Sequence, residues 1–138
     1  MSRQFYVTRR EVFSAAHRLH SKDYTDEENV EIFGKCNNPN GHGHNYILEV
    51  VVKGELIKET GYVIDLKILK NIIREHVIKK VDHKHLNNDV EFLQGVNPTA
   101  ENIVVVSWNK LRKHLDQDLE LELTLYETPR NFVSYKGH

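Results

Sequence analysis

The sequence predicts an α+β domain whose sheet is mainly antiparallel. Three observations lead to this fold class: strand-like segments lie at both ends of the chain, two amphipathic helical segments lie between them, and strands and helices do not alternate as regular βαβ units. A chain of 138 residues, of which 39% are hydrophobic, can bury one core but not two. We therefore expect residues 1–138 to form a single domain.

The first half of the chain contains three segments that predict strands. The first runs from Phe5 to Ala16, the second covers residues 44–53 and is rich in β-branched residues, and the third is the short segment 62–65. Residues 54–61 have the glycine and polar composition of a turn. Residues 17–41 form a long polar connection, and connections of that length usually carry a function.

Two segments have the apolar spacing of amphipathic helices. The first begins after Asp65, which can cap it, and ends at the lysine pair 79–80, whose charge suits a helix C-terminus. After a loop over residues 81–98, Pro98 and Thr99 introduce the second helix. The apolar positions are Leu66, Leu69, Ile72, Ile73, His76 and Val77 in the first helix, and Ile103, Val106, Leu111 and Leu115 in the second.

The last part of the chain alternates in polarity. From Leu119 to Leu125 every second residue is leucine, which predicts a half-buried strand, and a final strand over residues 131–135 follows a turn at Pro129. By the same alternation Glu127 falls on the leucine face. Either the strand has left the core there and the carboxylate is solvated, or it is buried and accepts paired hydrogen bonds from a planar ligand such as a guanine-like or pterin ring.

Charge and composition exclude several classes of partner. The formal net charge is −1 and the isoelectric point is near 6.8, so no general positive field attracts nucleic acid or an anionic membrane. The N-terminal residues lack a secretory signal pattern, and no apolar run is long enough to span a bilayer. The single cysteine, Cys36, has no partner for an internal disulfide, which agrees with a reducing compartment. We therefore expect a cytoplasmic protein that binds neither nucleic acid nor membranes.

A His-Gly-His triplet at the entrance to the second predicted strand indicates a metal site. His42 and His44 are two residues apart and point to the same face of a strand, while Gly43 leaves room between them. His17 ends the first predicted strand, and an antiparallel pairing can place it opposite this pair. Three neutral imidazoles suit zinc and leave a fourth tetrahedral position open, as a catalytic site requires. The alternative is a surface turn without a ligand.

Two further groups are candidates for proton transfer. Cys36 lies in a segment rich in Gly, Asn and Pro, which favours a thiol in a loop over a small buried hydrophobic residue. Asp82 directly precedes His83. A carboxylate beside an imidazole can raise its basicity and fix its tautomer, although neighbours in sequence need not face each other.

Six blocks of sequence resemble the 6-pyruvoyltetrahydropterin synthase family in order and approximate spacing. They are FSAAHRL, FGKCNNPNGHGHNY, TGYVIDL, DHKHLN, PTAEN and LYETPRN, and together they extend over nearly the whole chain. Short motifs are weak evidence singly, but six in order are strong evidence. Bacterial relatives that make 6-carboxytetrahydropterin typically have three residues between the cysteine and the first histidine of the triplet. This chain has five, Asn37 to Gly41, and so resembles the animal biopterin branch.

The resemblance implies a role for each candidate residue. A zinc ion is bound by three histidines, a cysteine accepts a proton, an Asp-His pair from a neighbouring subunit supplies the second acid–base group, and a glutamate anchors the pterin. The corresponding residues here are His17, His42 and His44 for zinc, then Cys36, Asp82 with His83, and Glu127. Thr99 and Glu101 lie in a block that helps to line the pterin pocket, where Ala100 replaces a hydroxyl residue often found in the family.

The resemblance also implies a tunnelling fold. In this fold an antiparallel sheet carries two helices on one face, sheets from three subunits close a barrel, and two such rings stack. We therefore expect a homohexamer, built as a dimer of trimers, with the active site at a subunit interface.

The implied reaction converts 7,8-dihydroneopterin triphosphate to 6-pyruvoyltetrahydropterin with loss of triphosphate, in tetrahydrobiopterin biosynthesis. Zinc, one ion per subunit, would acidify side-chain hydroxyls, and a thiolate would take the proton from carbon. Arg18 and Lys35 are candidates to meet the triphosphate, where magnesium is a second candidate ion. Two alternatives stay open: the 6-carboxytetrahydropterin synthase reaction on the same substrate, which serves queuosine precursor synthesis, and a non-catalytic module that binds zinc or pterin.

Overall fold

The computed structural model describes residues 3–138. Five strands form one sheet within this range, and helical segments connect them. In chain order the elements are β1 (Gln4–His17), α1 (Asp26–Phe33), a 3₁₀ turn (Gly34–Asn37), β2 (His42–Glu55), α2 (Leu66–Ile73), a π-helical turn (Arg74–Ile78), α3 (Lys79–Val81), β3 (Lys84–His85), a second 3₁₀ turn (Glu91–Leu93), α4 (Ala100–Arg112), β4 (Glu120–Tyr126) and β5 (Phe132–Tyr135).

The strands lie in the order β3-β1-β2-β4-β5. The pairs β1–β2, β2–β4 and β4–β5 are antiparallel, which confirms the predicted α+β class with a mainly antiparallel sheet. The exception is β3, which pairs in parallel with β1 through Ala15 and Ala16. This two-residue strand lies within the predicted loop 81–98. It was not predicted as a strand because so short a segment has no periodic pattern.

The hydrophobic core lies between one face of the sheet and the helices. On β4 the predicted alternation is confirmed, since Leu121, Leu123 and Leu125 are all buried. The strand side chains on this face pack against apolar side chains of α2, the π-helical turn and α4, so both predicted helices cover the same face. The main core residues from the strands are Phe13, Ala15, Tyr46, Leu48, Val50 and Val52, and those from the helices are Leu69, Ile73, Val77, Ile103, Val104 and Leu111.

Side chains cap both predicted helices as expected. The Asp65 carboxylate accepts a hydrogen bond from the backbone N–H of Lys67 at 2.8 Å, and the Thr99 hydroxyl accepts one from that of Asn102 at 3.2 Å. The first predicted helix runs on through the π-helical turn into α3, which contains the lysine pair 79–80. Within the π-helical turn His76 stacks on His114 with ring centroids 3.5 Å apart.

The structure defines one segment that the sequence left open and corrects one prediction. The polar connection contains helix α1, which a capping box between Thr25 and Glu28 begins. Its apolar side chains Val30 and Ile32 are exposed, so no buried stripe marked it as a helix. The predicted strand 62–65 is wrong, because these residues form bends that place Val63 in the core instead of pairing in the sheet.

None of the helices found in residues 3–138 combines the length and the apolar character needed to cross a membrane.

Candidate metal centre and active site

The pairing of β1 with β2 brings three histidines together at one end of the sheet. His17 lies directly opposite His42 in the register, and Ala15 lies opposite His44. Because residues two apart on a strand share a face, the side chains of His42 and His44 both point to the face that carries His17. The predicted antiparallel placement of His17 is therefore confirmed.

The three imidazoles are close enough to share one ion. One ring nitrogen from each residue lies within 4.8 Å of the others, and the Nε2 atoms of His17 and His42 are 3.0 Å apart. Zinc–nitrogen bonds of about 2.0–2.1 Å in a tetrahedral site place two ligand nitrogens roughly 3.3 Å apart. A small closure of the histidine cluster, meaning His17, His42 and His44, would therefore satisfy this geometry.

The surroundings of His17 keep its ring neutral and fix its tautomer. Its Nδ1–H donates to the Pro98 carbonyl oxygen at 2.7 Å, and the Tyr46 hydroxyl oxygen lies 3.3 Å from the same nitrogen. Burial lowers the pKa of His17 to about 4, against the opposing effect of the hydrogen bond to Pro98. The lone pair on Nε2 then points toward the cluster, as metal ligation requires.

The other two histidines also fit a cation. Burial, followed by the nearby charge of His44, lowers the pKa of His42. His42 Nδ1 and His44 Nε2 are buried ring nitrogens without hydrogen-bond partners within residues 3–138. Over the same range the histidine cluster is the one group of three or more potential ligand side chains that meets the distance requirement. The ring nitrogens of the histidine cluster are therefore suited to bind a metal ion, and nitrogen ligands of this kind suit zinc.

Cys36 lies in the 3₁₀ turn that precedes β2. Its carbonyl oxygen accepts a hydrogen bond from the backbone N–H of Leu19 at 2.9 Å, which holds this turn beside the segment that follows His17. The thiol is partly exposed, and it is not part of the metal-binding group within residues 3–138. Cys36 therefore sits near the end of β1 that carries the site, with its sulfur outside the set of metal ligands.

Glu127 connects the histidine cluster to a small cleft. Its Oε1 lies 3.6 Å from Nε2 of His44, and 26% of its side chain is exposed. The side chain is therefore partly buried and lies between the buried and the solvated alternatives. Glu127 also lines a cleft of about 500 Å³ together with Ala100, Glu101 and Arg130.

Of the two residues expected near the pterin pocket, Glu101 lines this cleft and Thr99 does not. The Thr99 hydroxyl caps α4 instead.

The Asp82 carboxylate contacts the His83 ring at the opposite edge of the sheet from β5. His83 Nδ1 lies 3.0 Å from the Asp82 carboxylate, so these sequence neighbours do face each other. The other Asp82 oxygen accepts from the backbone N–H of Ser14 at 2.9 Å, and this bond, more than the His83 contact, lowers the pKa of Asp82. The His83 side chain is 82% exposed. Within one chain the pair therefore faces solvent.

Sequence reasoning missed three contributors to the site. Tyr46 and the carbonyl of Pro98 contact His17, and Tyr46 was detectable because it shares the parity of His42 and His44 on β2. His85, taken from the sequence as part of a polar loop, packs its ring against Gly41. A Cβ atom placed on Gly41 would lie 2.9 Å from Nε2 of His85.

A second cleft reaches the histidine cluster at His42. Its volume is about 940 Å³, and its lining includes Arg18, His20, Asp26 and Lys35. This cleft therefore brings together the two cations, Arg18 and Lys35, that the sequence suggested for anion binding.

In comparisons with known proteins, this chain is similar to members of one protein family over nearly its whole length. A family model described as 6-pyruvoyl tetrahydropterin synthase matches residues 6–138. The chain is 48% identical over 134 residues to the 6-pyruvoyl tetrahydrobiopterin synthase of Homo sapiens, covering 97% of this chain and 92% of that protein. It is 46% identical over 133 residues to the Drosophila melanogaster protein of the same name, covering 96% and 79%. The solved Caenorhabditis elegans 6-pyruvoyl tetrahydropterin synthase superposes with a TM-score of 0.92 at 42% identity, over 99% of this chain and 98% of that one.

Proposed function

This chain belongs to the 6-pyruvoyl tetrahydropterin synthase family, and we propose that it converts 7,8-dihydroneopterin triphosphate to 6-pyruvoyltetrahydropterin with elimination of triphosphate, as a lyase of tetrahydrobiopterin biosynthesis. The observation that carries this proposal is the convergence of three imidazoles within 4.8 Å beside the carboxylate of Glu127. A metal site next to a carboxylate-lined cleft matches a substrate with side-chain hydroxyls on a planar ring that donates N–H groups.

The proposed metal is zinc, one ion per chain, held by His17, His42 and His44. When bound there, it supplies Lewis acidity toward the side-chain hydroxyls of the substrate. His17 is held for this role by its Nδ1–H bond to Pro98, since that bond leaves Nε2 without a proton.

Glu127 orients the pterin in this proposal. Its carboxylate accepts hydrogen bonds from adjacent N–H groups on the ring edge, and charge-assisted bonds of this kind are about twice as strong as neutral ones. Glu101 lines the same cleft, while Thr99 supports it from the cap of α4. The cleft thereby fixes the ring and presents the side chain to the histidine cluster.

Two groups move protons. The Cys36 side chain accepts the proton from the side-chain carbon of the substrate, since its turn is held beside the segment that follows His17. His83 carries protons at Nε2, because its Nδ1 is engaged by Asp82. The ring gains the electrons that the side chain loses, so the reaction needs no external oxidant, and triphosphate leaves in the elimination.

The proposed assembly is a homohexamer, a dimer of trimers with the active site between subunits. The exposure of the His83 side chain supports this assembly, since an exposed imidazole is free to face the histidine cluster of a neighbouring chain. We further infer that residues 1–138 act as a single domain in the cytoplasm. Magnesium is a second candidate ion, which would bind at the triphosphate of the substrate.

Product analysis tests this function. The zinc-loaded protein is incubated with 7,8-dihydroneopterin triphosphate, and the pterin product and released phosphate species are identified by mass. We expect 6-pyruvoyltetrahydropterin and inorganic triphosphate. Formation of 6-carboxytetrahydropterin would assign the rival enzyme reaction, and pterin binding without release of triphosphate would assign a non-catalytic module.

A further inference from the structure

The cleft of about 940 Å³ beside His42, called the basic cleft below, carries more basic than acidic side chains on its lining. Arg18 and Lys35 are permanent cations on its lining, and Asp26 is the carboxylate among the lining residues. The formal charge of the whole chain is −1. A local excess of positive charge at the mouth of a metal centre therefore stands out against a nearly neutral protein.

A buried asparagine holds the donors of the basic cleft in place. Arg18 Nε donates to the Asn37 carbonyl oxygen at 2.9 Å, and Asn37 itself is only 4% exposed. The Asn37 side-chain amide donates to the carbonyl oxygen of Leu19 at 2.7 Å and to Nδ1 of His20 at 3.0 Å. Because Nδ1 of His20 accepts this bond, its Nε2 carries the proton and is a donor. Arg18 and His20 are thus positioned before any ligand arrives.

The two clefts meet the histidine cluster at different residues and have opposite character. The cleft with Glu101 and Glu127 reaches His44, whereas the basic cleft reaches His42. A ligand spanning both would have an N–H-rich ring at one end and an anion at the other. The substrate of the proposed function has this polarity along its length.

We propose that the basic cleft binds the triphosphate arm of the substrate, with Arg18, His20 and Lys35 as its donors. This inference rests on the proposed function and adds to it the residues that recognise the leaving group. Guanidinium and ammonium groups are the usual partners of phosphate oxygens, and a volume near 940 Å³ accommodates a chain of three phosphates. Asp26 opposes this binding by its charge.

Binding of inorganic triphosphate to the zinc-loaded protein, measured by titration calorimetry, tests this proposal. Lys35→Gln removes an exposed cation and is expected to weaken binding about tenfold, the loss typical of one charge-assisted hydrogen bond. Asp26→Asn removes the opposing charge and is expected to tighten binding. Lys58→Gln is the matched control, because Lys58 is exposed but does not line this cleft.

A second measurement separates recognition of the arm from recognition of the ring. Lys35→Gln should raise KM for 7,8-dihydroneopterin triphosphate about tenfold, while affinity for 7,8-dihydroneopterin, which has no phosphate, stays unchanged. Equal effects of Lys35→Gln and Lys58→Gln on triphosphate binding would overturn the proposal, as would weaker binding by Asp26→Asn. If the parent protein yields no pterin product, the proposed function fails, and the calorimetry still decides whether the cleft binds triphosphate.

Discussion

The carboxylate of Glu127 approaches His44 to 3.6 Å, measured from Oε1 to Nε2, where β4 has just ended beside β2. This contact places a partly buried anion between the histidine cluster and the smaller cleft. The same carboxylate is therefore near enough to the proposed metal to align a ring whose side chain is bound there.

Glu127→Gln should weaken substrate binding without loss of zinc. The amide keeps the size of the side chain but loses the charge and offers a donor where the ring also donates. We expect KM to rise about 10- to 100-fold, the range for a hydrogen bond to a charged group. Glu122→Gln is the matched control, since Glu122 is an exposed glutamate of β4 that does not line this cleft. A Glu127→Gln variant with an unchanged KM would exclude Glu127 as the ring anchor.

Cys36→Ala and His83→Asn should each inactivate the enzyme. Activity should return when chains that carry one substitution are assembled into the same oligomer with chains that carry the other. Each removes one proton-transfer group, a loss of about 10²- to 10⁴-fold in kcat, while zinc remains bound. Asparagine is chosen at position 83 because His83 has a φ of 61°, a conformation that asparagine tolerates. If the site is shared between chains, random assembly of the two variants leaves about a quarter of the sites intact.

The control for this experiment is the Cys36→Ala/His83→Asn double variant reassembled with either single variant, since one of the two groups is then missing from every chain. Activity that stays absent after the two single variants are dissociated and reassembled together would place both groups in one chain. Near-normal turnover of either single variant would refute its assigned role.

Gly41→Ala should reduce both stability and zinc affinity, whereas Gly61→Ala should reduce stability alone. Both glycines have a φ of +80°, so alanine costs about 1 kcal/mol of backbone strain at either position. At Gly41 the added Cβ would also lie 2.9 Å from Nε2 of His85 and 3.0 Å from the His17 carbonyl oxygen, while at Gly61 it meets nothing within 4 Å. Denaturant unfolding and competition with a zinc chelator check this, and equal zinc affinity in the two variants would contradict it.

The metal-free protein should lose stability as the pH falls from 6.5 toward 4. Burial holds the pKa of His17 near 4, so between these values the unfolded chain takes up a proton that the folded chain does not. The contribution of neutral His17 to the free energy of unfolding is fully present above about pH 6.5. It decreases by about 2–3 kcal/mol as the pH approaches 4. Urea titrations across this range measure it. His17→Gln should flatten the profile, and an unchanged slope in this variant would contradict the assignment.

The parity of residues on strands made much of the metal site predictable from the sequence. His42 and His44 share a face because they are two apart, and His17 ends a segment that could pair with theirs. Parity together with one antiparallel pairing therefore predicted that the three rings could meet. The same alternation placed Glu127 on the core face at the end of β4.

Features that depend on tertiary contacts were not predictable. Helix α1 was missed because Val30 and Ile32 face outward, so no buried apolar stripe distinguishes it. The bend at residues 62–65 resembles a strand in composition, but Val63 is needed in the core against Gly54. The contact between His85 and Gly41 joins β3 to a distant turn, and no local signal reports such a contact.

X-ray absorption at the zinc edge, combined with elemental analysis, tests the central claim that three imidazoles hold one ion. We predict one zinc per chain with three nitrogen ligands from protein at about 2.0–2.1 Å, and loss of the metal in His17→Ala, His42→Ala and His44→Ala but not in His138→Ala, whose side chain is exposed outside the cluster. Zinc content that survives removal of each clustered histidine, or a sulfur ligand at about 2.3 Å, would contradict the account.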